Sequence, residues 1–123
     1  ALLEQRAAKF ERKQFDYVPK GIKTPIQTTS TRKVYFRDPE LRGWVRQEAN
    51  GKCEGCGEEA PFKKNGKPFL EVHHVKHMSQ EGSDLPSNVV ALCPNCHQRC
   101  HHSDDREAFT AWLYDNVGRL EKE

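Results

Sequence analysis

Hydrophobic and polar positions change period several times along this chain, and each change marks an element. In "LLEQRAAKFERKQF", residues 2 to 15, Leu3, Ala7 and Phe10 recur near helical spacing, which predicts an amphipathic helix. The following "VPKGIKTPIQTTST" has no such period; its prolines, glycine and threonines predict an extended linker. A second helix is predicted in "DPELRGWVRQEANG": Asp38 caps its start, Pro39 suits the first turn, and Asn50 and Gly51 close it. Leu41, Trp44 and Val45 supply its apolar face, with Trp44 expected in the core rather than as a base-stacking platform. Arg42 and Arg46, four apart, form one basic stripe. In "APFKKNGKPFLEVHHV" the Asn65-Gly66 pair signals a hairpin, whose second strand is expected from about Phe69 to Val75. "KHMSQEGSDLPSN" is a polar loop, "VVALC" a short strand, and "PNCHQRCHH" a helix starting just beyond Cys93. A last helix is predicted from about Arg106 to Leu120, burying Phe109, Trp112, Leu113 and Val117.

Length and composition narrow what these elements can build. The 123 residues suffice for one compact domain, but a modest apolar share and a high charged share suggest a cross-link or metal as support. No apolar stretch approaches membrane-spanning length, and the start does not resemble a signal peptide. An alanine in first position is what a processed chain or a fragment would show. Charge is uneven. Residues 1 to 47 carry eleven Lys/Arg against five Asp/Glu, and residues 48 to 123 carry nine against thirteen. The basic half suits phosphate contact, although a solvated surface explains the same residues.

The cysteines are the strongest chemical signal. Cys53 and Cys56 form one CxxC knuckle, Cys93 and Cys96 another, with 36 residues between them. Two such pairs read as four tetrahedral ligands to a structural zinc, in preference to a redox dithiol or an unmetallated buried pair. The odd fifth cysteine, Cys100, argues against a fully disulfide-bonded secreted chain and is expected to be a small core residue beside the site.

All six histidines lie between positions 73 and 102. On a helix His97 and His101 share one face at a separation that can grip an ion. His73 and His74 are neighbours on a strand, so they point oppositely. One can join His97 and His101 on a metal while the other faces substrate as a base. His77 and His102 receive no role from spacing.

"LEVHHV", then Asn88, then "LCPNCHQRCH" resembles the ββα-metal motif of the HNH endonuclease family, over roughly residues 42 to 102. The cysteine pairs resemble its zinc-knuckle branch, which includes McrA-like modification-dependent restriction endonucleases. The resemblance implies an α+β fold: a ββα-metal (HNH) core stapled by a four-cysteine zinc site, with flanking N- and C-terminal helices. It implies His73 as a metal ligand, His74 as general base, and His97 and His101 as the other two ligands. Asn88 is expected to pin the polar loop and help orient His74. Glu71 is expected to brace the loop or back a metal ligand, or else to bond an arginine. Cys100 stands where the family often has a bulky apolar residue.

The function implied is a metal-dependent DNA endonuclease, the cleavage module of a restriction-type enzyme, yielding 5′-phosphate and 3′-hydroxyl ends. Its cofactors would be one structural Zn2+ and one catalytic divalent ion. Magnesium prefers oxygen, so zinc, nickel, cobalt or manganese suits three imidazoles better. Arg42, Arg46, Lys76 and Arg99 are candidate phosphate contacts. Residues 1–37 would be an N-terminal helix and basic arm, and residues 38–123 the nuclease domain with its zinc. Double-stranded DNA is the expected partner, with no membrane. Homodimerisation and a separate DNA-recognition domain would complete a restriction enzyme. Cytoplasmic location and a prokaryotic or phage origin are expected. The competing reading is a zinc-stabilised DNA-binding module without cleavage, or a protein-interaction zinc module; neither explains the histidines.

Overall fold

A computed structural model describes residues 2–123. It divides into two compact units, residues 1–33 and 34–123. In the first, helix α1 spans Leu2–Glu11 and buries none of its described side chains. The helix stops short of the expected Phe15. The Lys13 N–H turns back to Phe10 O, and the Lys13 ammonium donates to the Tyr17 hydroxyl at 2.7 Å, beneath an edge-on Phe15–Tyr17 pair.

The second unit begins its regular structure with α2, Pro39–Ala49. The Asp38 carboxylate accepts the Glu40 N–H at 2.9 Å, and Asn50 closes the helix in the left-handed conformation. These are the start and stop that the sequence signals. Leu41, Val45 and Ala49, spaced four apart, are its buried stripe. Trp44 is a correction: it is 37% exposed, with the Arg119 guanidinium 5.4 Å from its ring centre. Only a narrow side of α2 meets the sheet, and Trp44 lies one residue, about 100°, off that line.

The Asn65-Gly66 turn joins β1, Lys63–Lys64, to β2, Lys67–Pro68, both turn residues having positive φ. The expected second strand, Phe69 to Val75, is not part of this hairpin. Pro68 has no N–H to prolong the ladder, so pairing ends with one bond from Phe69 N to Phe62 O. The chain then enters β3, Glu71–His74, which pairs antiparallel with β4, Val89–Leu92. Register sets His73 opposite Val90 and His74 opposite Val89. All four residues of β4 are buried, because helices cover the strand pair.

Residues 75–88 connect the strands through two short 3-10 turns. Helix α3, Pro94–His102, packs on β3 and β4, completing the ββα arrangement. Helix α4, Arg106–Asn116, packs on α3. It ends earlier than expected, because Val117 leaves the helix with extended backbone and Gly118 follows. Phe109 and Leu113 are buried as expected and Val117 is half-buried, but Trp112 is 42% exposed, stacked outside Phe109. The architecture is α+β with a ββα-like core and helices before and after it. No helix among the described residues is long and apolar enough to cross a membrane.

Candidate functional site

Two metal-sized clusters grow from opposite sides of one short segment. The first joins both cysteine pairs. Cys53 follows the closing turn of α2, and the N–H groups of Gly55 and Cys56 point at its sulfur at 3.3 and 3.4 Å. Cys93 caps α3, and the Cys96 N–H points at its sulfur at 3.4 Å. Sulfurs of Cys56 and Cys93 are 4.0 Å apart, and all four lie within 4.8 Å of one another. Tetrahedral zinc at about 2.3 Å from each sulfur needs them about 3.8 Å apart, so the cradle has the right size. Burial pushes the Cys93 and Cys96 thiols up, and Cys53 adds to the effect on Cys96. Cys53 goes the other way: burial would raise it, but the N–H groups around its sulfur prevail. Four gathered sulfurs cannot all ionise without a cation, and zinc supplies one.

The knuckle is fitted closely to the fold. A Cβ on Gly55 would come within 2.9 Å of the Phe109 ring and 3.3 Å of Leu92, so glycine is required for that approach. Cys100 stays outside the four-sulfur group, buried in the core, with burial pushing its thiol up to about 11. That is the core role expected for it.

The second cluster is His73, His97 and His101, whose ring nitrogens also lie within 4.8 Å of one another. Strand β3 contributes His73, which is 2% exposed, while one face of α3 contributes the other two. Nε2 atoms of His97 and His101 are 3.2 Å apart. Burial, then the neighbouring imidazoles, pushes His73 down to about 3, and the same causes lower His101. These two rings are therefore neutral near pH 7, the form that ligates metal. Nδ1 of His97 is buried without a hydrogen bond, and a Glu71 carboxylate oxygen lies 3.6 Å from it. The Glu71 carboxylate thus lies beside His97, just beyond hydrogen-bond distance. Three ring nitrogens with solvent beside His101 fit a divalent ion that keeps an open position. His77 adds a fourth ring, 4.7 Å from His101 and 5.6 Å from His73, centre to centre. His102 lies outside, on the exposed end of α3.

His74 takes a different partner from His73. Its Nε2 is 2.7 Å from Asp84 Oδ1, and the other Asp84 oxygen accepts the Asp38 N–H at 2.8 Å. Burial would raise the Asp84 carboxyl; the Asp38 N–H and then His74 overcome it and hold it below the usual carboxylate range. Asn88 is fully buried. Its side chain accepts the Lys76 N–H at 2.8 Å and donates to the carbonyls of Lys76 and Ser83 at 3.0 and 2.8 Å. It thus ties both ends of the polar loop and does not itself bond His74.

The four basic candidates are differently committed. Arg46 Nε donates to Leu70 O at 3.1 Å, bracing the entry to β3. Arg99 makes a two-pronged bond to Asp105 at 2.5 and 3.2 Å and lies 4.1 Å over the Phe109 ring. Arg42 is half-buried; burial, then Arg46 and Arg37, lower its pKa while Asp84 opposes them. Lys76 uses its backbone for Asn88, leaving its side chain uncommitted to that bond. Two contacts carry no sequence signal. In the sequence Asp84 is only one acid in a polar loop. Glu54, inside the first knuckle, is bound by Arg119 at 2.6 and 2.8 Å and accepts the Ala91 N–H at 2.9 Å.

Comparison with known proteins agrees with this geometry. Residues 53–103 match the HNH endonuclease family. The chain is 43% identical, over 99% of its length, to EcoKMcrA, a Type IV methyl-directed restriction enzyme of Escherichia coli strain K12, and spans 44% of that protein. It also resembles the structure of ScoMcrA, a Type IV phosphorothioation-dependent restriction endonuclease. That match has a TM-score of 0.60 and 34% identity, covering 68% of this chain and 19% of the other.

Proposed function

The chain belongs to the HNH endonuclease family, and from that premise we propose that it is the metal-dependent cleavage module of a DNA restriction enzyme. The observation that supports this best is the pairing of an open three-histidine cluster with His74, the next residue on β3, held by Asp84. A zinc-stabilised binding module has no use for either.

When bound, a divalent ion supplies positive charge that stabilises the phosphodiester in its transition state and the leaving 3′ oxygen. His73, His97 and His101 would hold it. His74 takes a proton from water, which attacks phosphorus in line, leaving 5′-phosphate and 3′-hydroxyl ends. Glu71 backs His97. Asn88 keeps the loop shaped. Arg42 and Lys76 are the freer phosphate contacts of the four basic candidates, since Arg46 and Arg99 are engaged within the protein. Residues 38–123 form the nuclease domain, and residues 1–37 an arm that links it to a recognition domain or a second copy. The two relatives act on modified DNA by their names, so modified duplex DNA is the proposed target.

The test is cleavage of duplex DNA by the zinc-loaded protein with added manganese, nickel or cobalt. Wild type should cut and His74→Ala should not, with zinc content and fold unchanged. DNA that is bound but never cut with any of these metals would establish the binding-only reading. Substrates carrying methylated cytosine, a phosphorothioate or neither would locate the specificity.

A further inference from the structure

The geometry points to Asp84 as the positioning residue of His74: it holds the imidazole by Nε2 and leaves Nδ1 as the atom that accepts the proton. This rests on the reading of His74 as general base and adds the atom and its brace.

An ionised carboxylate accepts hydrogen bonds and has no proton to give. The hydrogen in the 2.7 Å Asp84–His74 bond therefore belongs to Nε2. A neutral ring with hydrogen on Nε2 carries its lone pair on Nδ1. Among the described residues Nδ1 of His74 has no hydrogen-bond partner, and it is not sealed from solvent. It is the ring nitrogen that the carboxylate leaves free.

The brace is held on both sides. Asp84 Oδ2 takes the Asp38 N–H, at the capped start of α2, while Oδ1 is left for the imidazole. A residue needed only to tie the loop to α2 would use the first contact and have no need of the second. The loop around Asp84 is folded back by two devices. Asn88 grips Ser83 O, and Gly82 approaches Lys76 so closely that a Cβ would lie 1.8 Å from the Lys76 carbonyl oxygen. Ser83 is tied further, its N–H donating to the Glu123 carboxylate at 2.9 Å. Asn88 thus acts on His74 at one remove, by presenting Asp84. Carboxylates behind functional histidines fix ring orientation and tautomer in just this manner.

The direct test is the 15N spectrum of histidine-labelled, zinc-loaded full chain. His74 should show hydrogen on Nε2 in wild type, and Asp84→Ala should lose that preference. Hydrogen on Nδ1 in wild type overturns the inference, whether or not the protein cuts DNA. If the spectrum agrees and wild type cuts nothing, the nuclease reading fails by itself. In single-turnover cleavage, Asp84→Ala should be slowed roughly 10- to 100-fold at saturating DNA, with DNA affinity and zinc content retained. Asp84→Asn, which keeps one acceptor oxygen for Nε2 but loses the Asp38 N–H contact, should lose less and serves if the alanine variant does not fold. Loss of zinc, DNA affinity and cleavage together in Asp84→Ala, with the His74 tautomer unchanged, means a structural role only and overturns the assignment.

Discussion

The four-cysteine and three-histidine clusters share α3, yet they are built to opposite ends. The cysteine cluster gathers four soft donors from two separate knuckles, and its position brings the end of α2, β4 and α3 together. Four donors close a tetrahedron, so nothing else can approach the ion. The histidine cluster offers three donors graded from buried His73 to exposed His101. His101 sits exposed at its rim. Closure makes one site a staple, and incompleteness makes the other a place for chemistry. Because Cys96 and His97 are adjacent on α3, the staple also fixes the helix that carries the open site.

The sharpest way to break this contrast is to remove a ligand from each cluster. Cys96→Ser should forfeit more than the domain's own stability, on the order of 10 kcal/mol, because zinc binding is folding energy here. Circular dichroism should show an unfolded unit, and zinc content should fall. His101→Ala touches an exposed residue. It should abolish detectable cleavage and weaken binding of the second metal, with melting and structural zinc unchanged. If His101→Ala unfolded the protein, the two clusters would not differ in kind.

Smaller effects sharpen the boundary. Glu54 sits in the zinc knuckle but bonds Arg119 and Ala91 instead of metal. Glu54→Ala leaves a partly buried arginine unpaired and should cost about 3 kcal/mol in denaturant unfolding, with cleavage per folded molecule unchanged. Glu71→Gln acts at the other cluster, from behind His97. It should weaken the second metal roughly 10- to 100-fold in isothermal titration and leave stability nearly unaltered. Acid should expose His73. Its folded pKa of about 3 lies below the ordinary 6.5, so its contribution to stability is full above about pH 6.5. That contribution declines as pH falls towards 3, and His73→Asn should flatten this part of the stability profile.

Features set by neighbours in sequence are legible without the fold. CxxC spacing, the Asp38 cap, the Asn65-Gly66 turn and the i,i+4 histidines each depend on a few adjacent residues. The strand alternation that separates His73 from His74 is equally local. What the sequence hides depends on contacts distant along the chain. Asp84 reaches His74 only because Asn88 and Gly82 fold the loop back, and Arg119 crosses to Glu54 over 65 positions. Helical period assigns Trp44 and Trp112 to the core, but period marks a face and not its width. Each helix buries a narrow stripe, so the large aromatic at its margin remains half outside.

The division of labour between the clusters is tested most directly by anomalous diffraction from crystals of zinc-loaded protein soaked with manganese. The account predicts zinc among Cys53, Cys56, Cys93 and Cys96, and manganese among His73, His97 and His101 with at least one position open to solvent. A single metal ion shared by cysteines and histidines, or a histidine site closed by a fourth protein ligand such as His77, would contradict it.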